Sequence, residues 1–225
     1  MCGRYNVIDD PFTQGLLDEL GIAKRIHTRY NLAPTEQVPV IRQLDKQNEL
    51  IDMRWWLIPH WAHVPDTRYS MFNAKAETLA TSKAFSGPLK HQRCIIPASS
   101  FIEWRTEEGH KQPYAIQPVS GVFALAGLWE QWGHGAEAIH SCTIITTVAA
   151  PGMEQIHHRQ PVMLPADLRA RWLDPTIDGH HLMPLLMPSL PCALEVVPID
   201  PVINNSHHKQ APTTLGPALF RLDAN

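Results

Sequence analysis

The sequence predicts an α+β domain with a mainly antiparallel, barrel-like β core and short flanking helices. Short apolar segments with strand character recur along the chain, with few helical periods between them. Twenty prolines and twelve glycines are scattered rather than gathered into a linker, which favours many brief elements over long helices. The connections are short, as neighbouring antiparallel strands require. A chain of 225 residues, 44% of them hydrophobic, can fill one such core.

Taken in order, Cys2-Gly3-Arg4-Tyr5 leads a first strand. Pro11 to Leu20 carries Phe12, Leu16, Leu17 and Leu20 on one face, with Pro11 near its start and Gly21 just beyond, the marks of a short helix. Tyr30 to Thr35 is extended and feeds a strand over Gln37 to Arg42. A turn at Lys46-Gln47-Asn48 returns the chain along Leu50 to Ile58. Trp55, Trp56, His60, Trp61 and His63 then crowd a loop bounded by Pro59 and Pro65, where large rings serve as core lids or as exposed stacking platforms. Asn73 precedes a helical stretch, Leu79 to Phe85, either as a cap or as an amide aimed into a pocket. One apolar strand is read from Cys94 to Trp104, with a turn at Glu107-Glu108-Gly109. Three more strands follow at Pro113 to Gln117, Val122 to Trp129 and Ile139 to Val148, the last ending in Thr146 and Thr147. Pro151 to Ile156 makes a turn of helix, and His157 opens another strand, along which His157 and His158 should face opposite ways. Pro165 to Leu173 is helical, a final strand runs through Val196-Val197-Pro198, and a polar tail begins at Asn204.

Composition excludes several function classes. A net charge of -3 gives no global footprint for nucleic acid, so any such site must be a local patch. The most basic stretch, Lys75, Lys83, Lys90, His91 and Arg93, has aromatic residues close by in sequence. That mixture suits a solvated face, and equally a single-stranded groove where charge tracks the backbone and rings stack on bases. No charged leader and no bilayer-spanning apolar run is present, so a cytoplasmic protein without a membrane partner is expected. The four cysteines are far apart, which indicates neither a disulfide framework nor a zinc knuckle. His60 and His63 lack a nearby carboxylate to complete a ligand set, so no metal and no cofactor is expected.

The chemistry suggested by the residues centres on Cys2. If Met1 is trimmed, Cys2 carries a free α-amine and a thiol on one residue, with ordinary pKa values of about 8 and 8.5. Such a 1,2-aminothiol can attack an acyl or amide carbon, or condense with an aldehyde to a thiazolidine. Cys2 can also be no more than the start of a strand. Glu103, between Ile102 and Trp104, either faces water or points inward, where desolvation would raise its pKa and suit it to proton transfer near neutral pH.

Cys2-Gly3-Arg4-Tyr5, Tyr30-Asn31-Leu32-Ala33-Pro34, Leu57-Ile58-Pro59-His60-Trp61, Asn73-Ala74-Lys75-Ala76-Glu77-Thr78, Arg93-Cys94-Ile95-Ile96-Pro97 through Glu103-Trp104, and Ile156-His157-His158-Arg159-Gln160-Pro161 together resemble the SRAP family of abasic-site processing proteins, the SOS response-associated peptidases. The resemblance spans Cys2 to Asn205, giving a domain at 2–205 and a C-terminal tail at 206–225. It implies that the mature amino-terminal cysteine forms a thiazolidine with the ring-opened aldehyde of an abasic site in single-stranded DNA. A peptidase-type removal of the residue before Cys2, and reversal of the crosslink, come with it. Asn73 would position the amine and the sugar, Glu103 would move protons, and His157 would protonate the sugar oxygen. Arg4, Trp61, Lys75, Lys83, Thr146 and Arg159 would contact the DNA, and the protein would act as a monomer, nucleoid-associated when bound. Lys75 stands where the family usually has arginine, Trp56 where glycine is common, and Gln160 where methionine is usual. The competing readings are an amino-terminal-nucleophile glutamine amidotransferase, whose Asn-Gly-Glu segment is not found in the chain, and a non-catalytic single-strand-binding module.

Overall fold

The computed structural model describes residues 2–225, so Met1, whose removal the resemblance implies, lies outside the described residues. Two sheets stack through one apolar core to which both contribute, including Tyr5, Trp55, Phe101 and Phe123. The first sheet uses β1 (Tyr5–Val7), β2 (Arg29–Leu32), β7 (Ser100–Glu107), β8 (His110–Pro118), β12 (Leu194–Pro198) and β13 (Phe220–Leu222), in the order β13-β12-β8-β7-β1-β2. The second contains β3 (Gln37–Leu44), β4 (Gln47–Trp55), β6 (Arg93–Ala98), β9 (Phe123–Trp132) and β10 (Ile139–Val148). It runs β10-β4-β3-β6-β9 and closes on itself through the β9–β10 pairing, a five-stranded barrel with β5 (Asn73–Lys75) and β11 (Arg159–Pro161) added along β10. The predicted mainly antiparallel, barrel-like α+β core is therefore present. The departure is β10, which runs parallel to β4 and β5.

Helix α1 (Pro11–Glu19) forms where the pattern places it. The Asp10 carboxylate accepts the Thr13 N–H at 2.8 Å, and Pro11 occupies the first turn, where a missing N–H costs nothing. Beyond the helix, Gly21 takes a left-handed φ of 72°, and the N–H groups of Gly21 and Ile22 donate to the carbonyls of Asp18 and Leu17, which satisfies the last turn. Helices α2 (Ser86–His91) and α3 (Ala166–Leu173) pack against barrel strands, α2 on β6 and β9 and α3 on β6. They are locked by Arg93, whose guanidinium donates to the carbonyls of Leu89, Lys90, Trp172, Asp174 and Ile177. The sequence groups Arg93 with a basic face, whereas the fold uses it as an internal tie.

Several local expectations are corrected. The strand read from Cys94 to Trp104 is two strands of different sheets, because the chain crosses over at Ser99. There the Ser99 N–H donates to the Asn6 carbonyl and its hydroxyl accepts the Ile8 N–H. The helix read from Leu79 to Phe85 is a 3₁₀ turn at Ala76–Thr81 followed by α2. Val196 to Pro198 is not the last strand, since β13 pairs with it near the carboxyl end. Gly127 in β9 marks a close approach inside the barrel, where a Cβ would meet the Ile96 side chain at 2.3 Å.

Candidate functional site

Cys2, Asn73 and Glu103 are far apart in sequence and are brought to one buried place by strand pairing. Tyr5 of β1 lies opposite Phe101 of β7, and the Ile102 N–H donates to the Arg4 carbonyl, so Glu103 comes alongside the start of the chain. On the other side β5 adds to β10 in parallel, with Asn73 opposite Ile144 and Lys75 opposite Thr146. The Asn73 Nδ2–H donates to the Cys2 carbonyl at 2.9 Å. Asn73 is thus the first residue of a strand with its amide on Cys2, and the helix-cap reading is set aside. Its Oδ1 is buried without a hydrogen bond among the described residues, an acceptor held open next to Cys2.

Burial sets the electrostatics. Cys2 is fully buried, and desolvation together with the nearby Glu103 carboxylate pushes its thiol well above the ordinary value. Glu103 is only 2% exposed, and desolvation raises its carboxyl to about 7. The inward reading of Glu103 therefore holds, and the group can take or give a proton at neutral pH. His157 is half-buried, and desolvation above all, with the nearby Arg159 guanidinium adding to it, depresses its imidazole to about 4. Its Nδ1 faces the Arg159 backbone, 3.0 Å from the N–H and 3.2 Å from the carbonyl oxygen, so that backbone holds the ring in place. The two histidines precede β11 instead of lying in it, so strand alternation does not separate them, and their rings stack at 4.3 Å.

The residues expected to touch DNA divide into two groups. Lys75 and Lys83 are exposed, and Trp61, 45% exposed, receives the Lys83 ammonium 4.9 Å from its ring centroid. Trp61 and Lys83 line a cleft of about 450 Å³ together with Ile58, Arg68, Tyr69 and Met71. Arg4, Thr146 and Arg159 are instead engaged internally. The Arg4 guanidinium donates to Asn31 Oδ1 at 2.7 Å and to the carbonyls of Ile203 and Asn204. Arg159 makes a two-point pair with Glu77 at 2.7 and 3.0 Å and donates to the Thr146 carbonyl at 2.6 Å, while Thr146 is fully buried. Glu77 is the partner that sequence reasoning missed, although it sits in the same quoted segment as Asn73. Among the described residues no three His, Cys, Asp or Glu side chains converge as a metal would need.

The chain is similar to known proteins over most of its length. Residues 1–206 match the family model described as SOS response associated peptidase (SRAP). The chain is 37% identical over 218 residues to the abasic site processing protein YoaM of Bacillus subtilis, covering 94% of this chain and 96% of that protein. It is 32% identical over 155 residues to the abasic site processing protein YedK of Escherichia coli, covering 68% of each. Among solved structures, a phage-related protein of Bordetella bronchiseptica superposes with a TM-score of 0.72 at 28% identity, covering 88% of this chain and 94% of the other.

Proposed function

The chain belongs to the SRAP family, and from that premise we propose that it captures abasic sites in single-stranded DNA through a thiazolidine on Cys2. The observation that carries the reading is the buried convergence of Cys2, Asn73 and Glu103, with the Asn73 amide on the Cys2 carbonyl at 2.9 Å. Once Met1 is removed, the Cys2 α-amine attacks the C1′ aldehyde of the open sugar. The resulting carbinolamine loses water to an imine, the thiol adds across the C=N bond, and the nitrogen takes up a proton. Glu103, titrating near 7, gives a proton to the carbinolamine hydroxyl as it leaves as water and then takes the thiol proton. A base at hand is needed because the buried thiol does not ionise on its own at neutral pH.

The open acceptor on Asn73 suits an N–H of the new amine, which fits a role in orienting it. His157, held through Nδ1 by the Arg159 backbone, protonates the ring oxygen of the sugar, and a phosphate beside it would draw its pKa back up towards that of a usable acid. Reversing the same proton transfers releases the DNA. In the same reading Glu103 activates the water that hydrolyses the bond before Cys2, the peptidase-type step. Lys75 and Lys83 hold phosphates and Trp61 stacks beside the lesion, while Arg4, Thr146 and Arg159 shape the wall behind them.

The test is a denaturing gel of the protein mixed with single strands that are intact or carry one abasic site. A denaturation-resistant adduct with the abasic strand alone, lost in Cys2→Ser, is expected. Equal retention of both strands with no adduct would favour a plain binding module, and glutamine hydrolysis without an adduct would favour an amidotransferase.

A further inference from the structure

The contacts around Cys2 and Asn73 close into a loop whose far side is a residue with no part in the chemistry. Trp55, the last residue of β4, is fully buried. Its ring meets Tyr5 edge-on, with centroids 5.3 Å apart and planes at 68°. It also meets Phe72 edge-on at 6.2 Å and 83°. The indole Nε1–H donates to the Phe72 carbonyl at 2.8 Å, and that carbonyl also accepts the Ile144 N–H of β10 at 3.1 Å. Trp56 packs against the Phe72 ring at 5.4 Å, and the Leu57 N–H donates to the Met71 carbonyl. Asn73 follows Phe72 directly and reaches Cys2, which lies three residues before Tyr5.

We infer that Trp55 is a positioning residue for the covalent step. It bridges Tyr5, the first residue of β1 and three residues after Cys2, and Phe72, the residue before Asn73, through ring contacts and one directional hydrogen bond. This rests on the proposed capture of an aldehyde by Cys2. An aromatic bridge has few torsions, and the bond to the Phe72 carbonyl fixes where β5 begins relative to β1. Loss of that bond lets Asn73 shift against Cys2, and a displacement of ~1 Å in a reacting site costs rate far more than it costs affinity.

The matched control is Trp172 of α3, also fully buried, whose Nε1–H donates to the Cys94 carbonyl at 2.9 Å. Trp55→Phe and Trp172→Phe each delete one buried indole bond to a backbone carbonyl, and the partners of Trp172 are Cys94 and Arg93 rather than Tyr5 and Phe72. With an abasic single strand, Trp55→Phe should lower the saturating rate of adduct formation by about tenfold and leave the half-saturating strand concentration unchanged. Trp172→Phe should leave both unchanged at a temperature where each variant is folded by circular dichroism. Wild-type rate in Trp55→Phe, or an equal fall in both variants, overturns the inference. If the wild type forms no adduct, the capture reading itself fails, and hydrogen exchange decides the clamp. Amides of residues 2–5 and 72–75 should lose protection in Trp55→Phe and keep it in Trp172→Phe, and equal protection would refute the bridge.

Discussion

The buried end of the molecule, Cys2 with Asn73 and Glu103, and the exposed face around Trp61, Lys75 and Lys83 are built on opposite principles. In the buried end each group is fixed by neighbouring strands, and desolvation raises the proton affinity of Cys2 and Glu103, the latter to about 7. On the exposed face long side chains lie in water, one ammonium resting on one indole. Fixed, desolvated groups govern the rate of a bond-forming step, while mobile, solvated charges govern encounter and affinity. The two regions should therefore separate in measurement, saturating rate reporting on one and salt-dependent affinity on the other.

The most severe way to test that separation is Cys2→Ala, which should abolish the adduct while leaving non-covalent affinity for the strand intact, as fluorescence anisotropy would show. Glu103→Gln should cut the saturating rate by roughly 100-fold or more and remove the part of the rate that climbs as pH rises through 7. The same substitution has a signed effect on stability. A carboxyl raised from 4.5 to about 7 is uncharged at no cost at low pH, and the folded state loses stability as pH rises through that window. Urea midpoints of the wild type should accordingly fall relative to Glu103→Gln between these values, by roughly 3 kcal/mol in all, and a constant difference would place Glu103 in water. Arg159→Ala should lower stability by about 1–2 kcal/mol through its lost bonds to Glu77 and Thr146, with little change in the salt slope. Smallest of all, Lys75→Ala and Lys83→Ala should each flatten the slope of log affinity against log salt by about 0.7, with the saturating rate unchanged. A lysine variant that slows the saturated reaction, or a Glu103 variant that only weakens binding, would break the comparison.

What could be read from the sequence follows the range of the forces involved. Local signals placed α1 between Pro11 and Gly21, the whole of β10, and the turn after Glu107, because caps, alternation and left-handed glycine act within a few residues. The crossover at Ser99 escaped that reading, since an unbroken apolar run looks the same whether it serves one sheet or two. Parallel pairing of β10 with β4 and β5, which delivers Asn73 to Cys2, joins residues whose partnership leaves no local trace. Cys2 and Glu103 stand out by their own chemistry, the roles of Asn73 and His157 come only from the resemblance of whole segments to a family, and the fold brings Cys2, Asn73 and Glu103 together. Arg93 shows the reverse error: a basic residue in a basic stretch reads as surface, yet five backbone carbonyls hold it. Trp55 and Trp61 are equally aromatic in sequence, and only packing decides that the first is a core bridge and the second an exposed platform.

The central claim is that a Cys2 freed of Met1 is the bonding residue. Intact mass spectrometry of the wild type and Cys2→Ala, each mixed with a single strand carrying one abasic site, tests it most directly. The account predicts a wild-type protein lacking Met1 that gains the mass of the strand minus one water, and no gain for Cys2→Ala. A protein lacking Met1 that gains nothing, or a Cys2→Ala protein that gains the same mass, would contradict it.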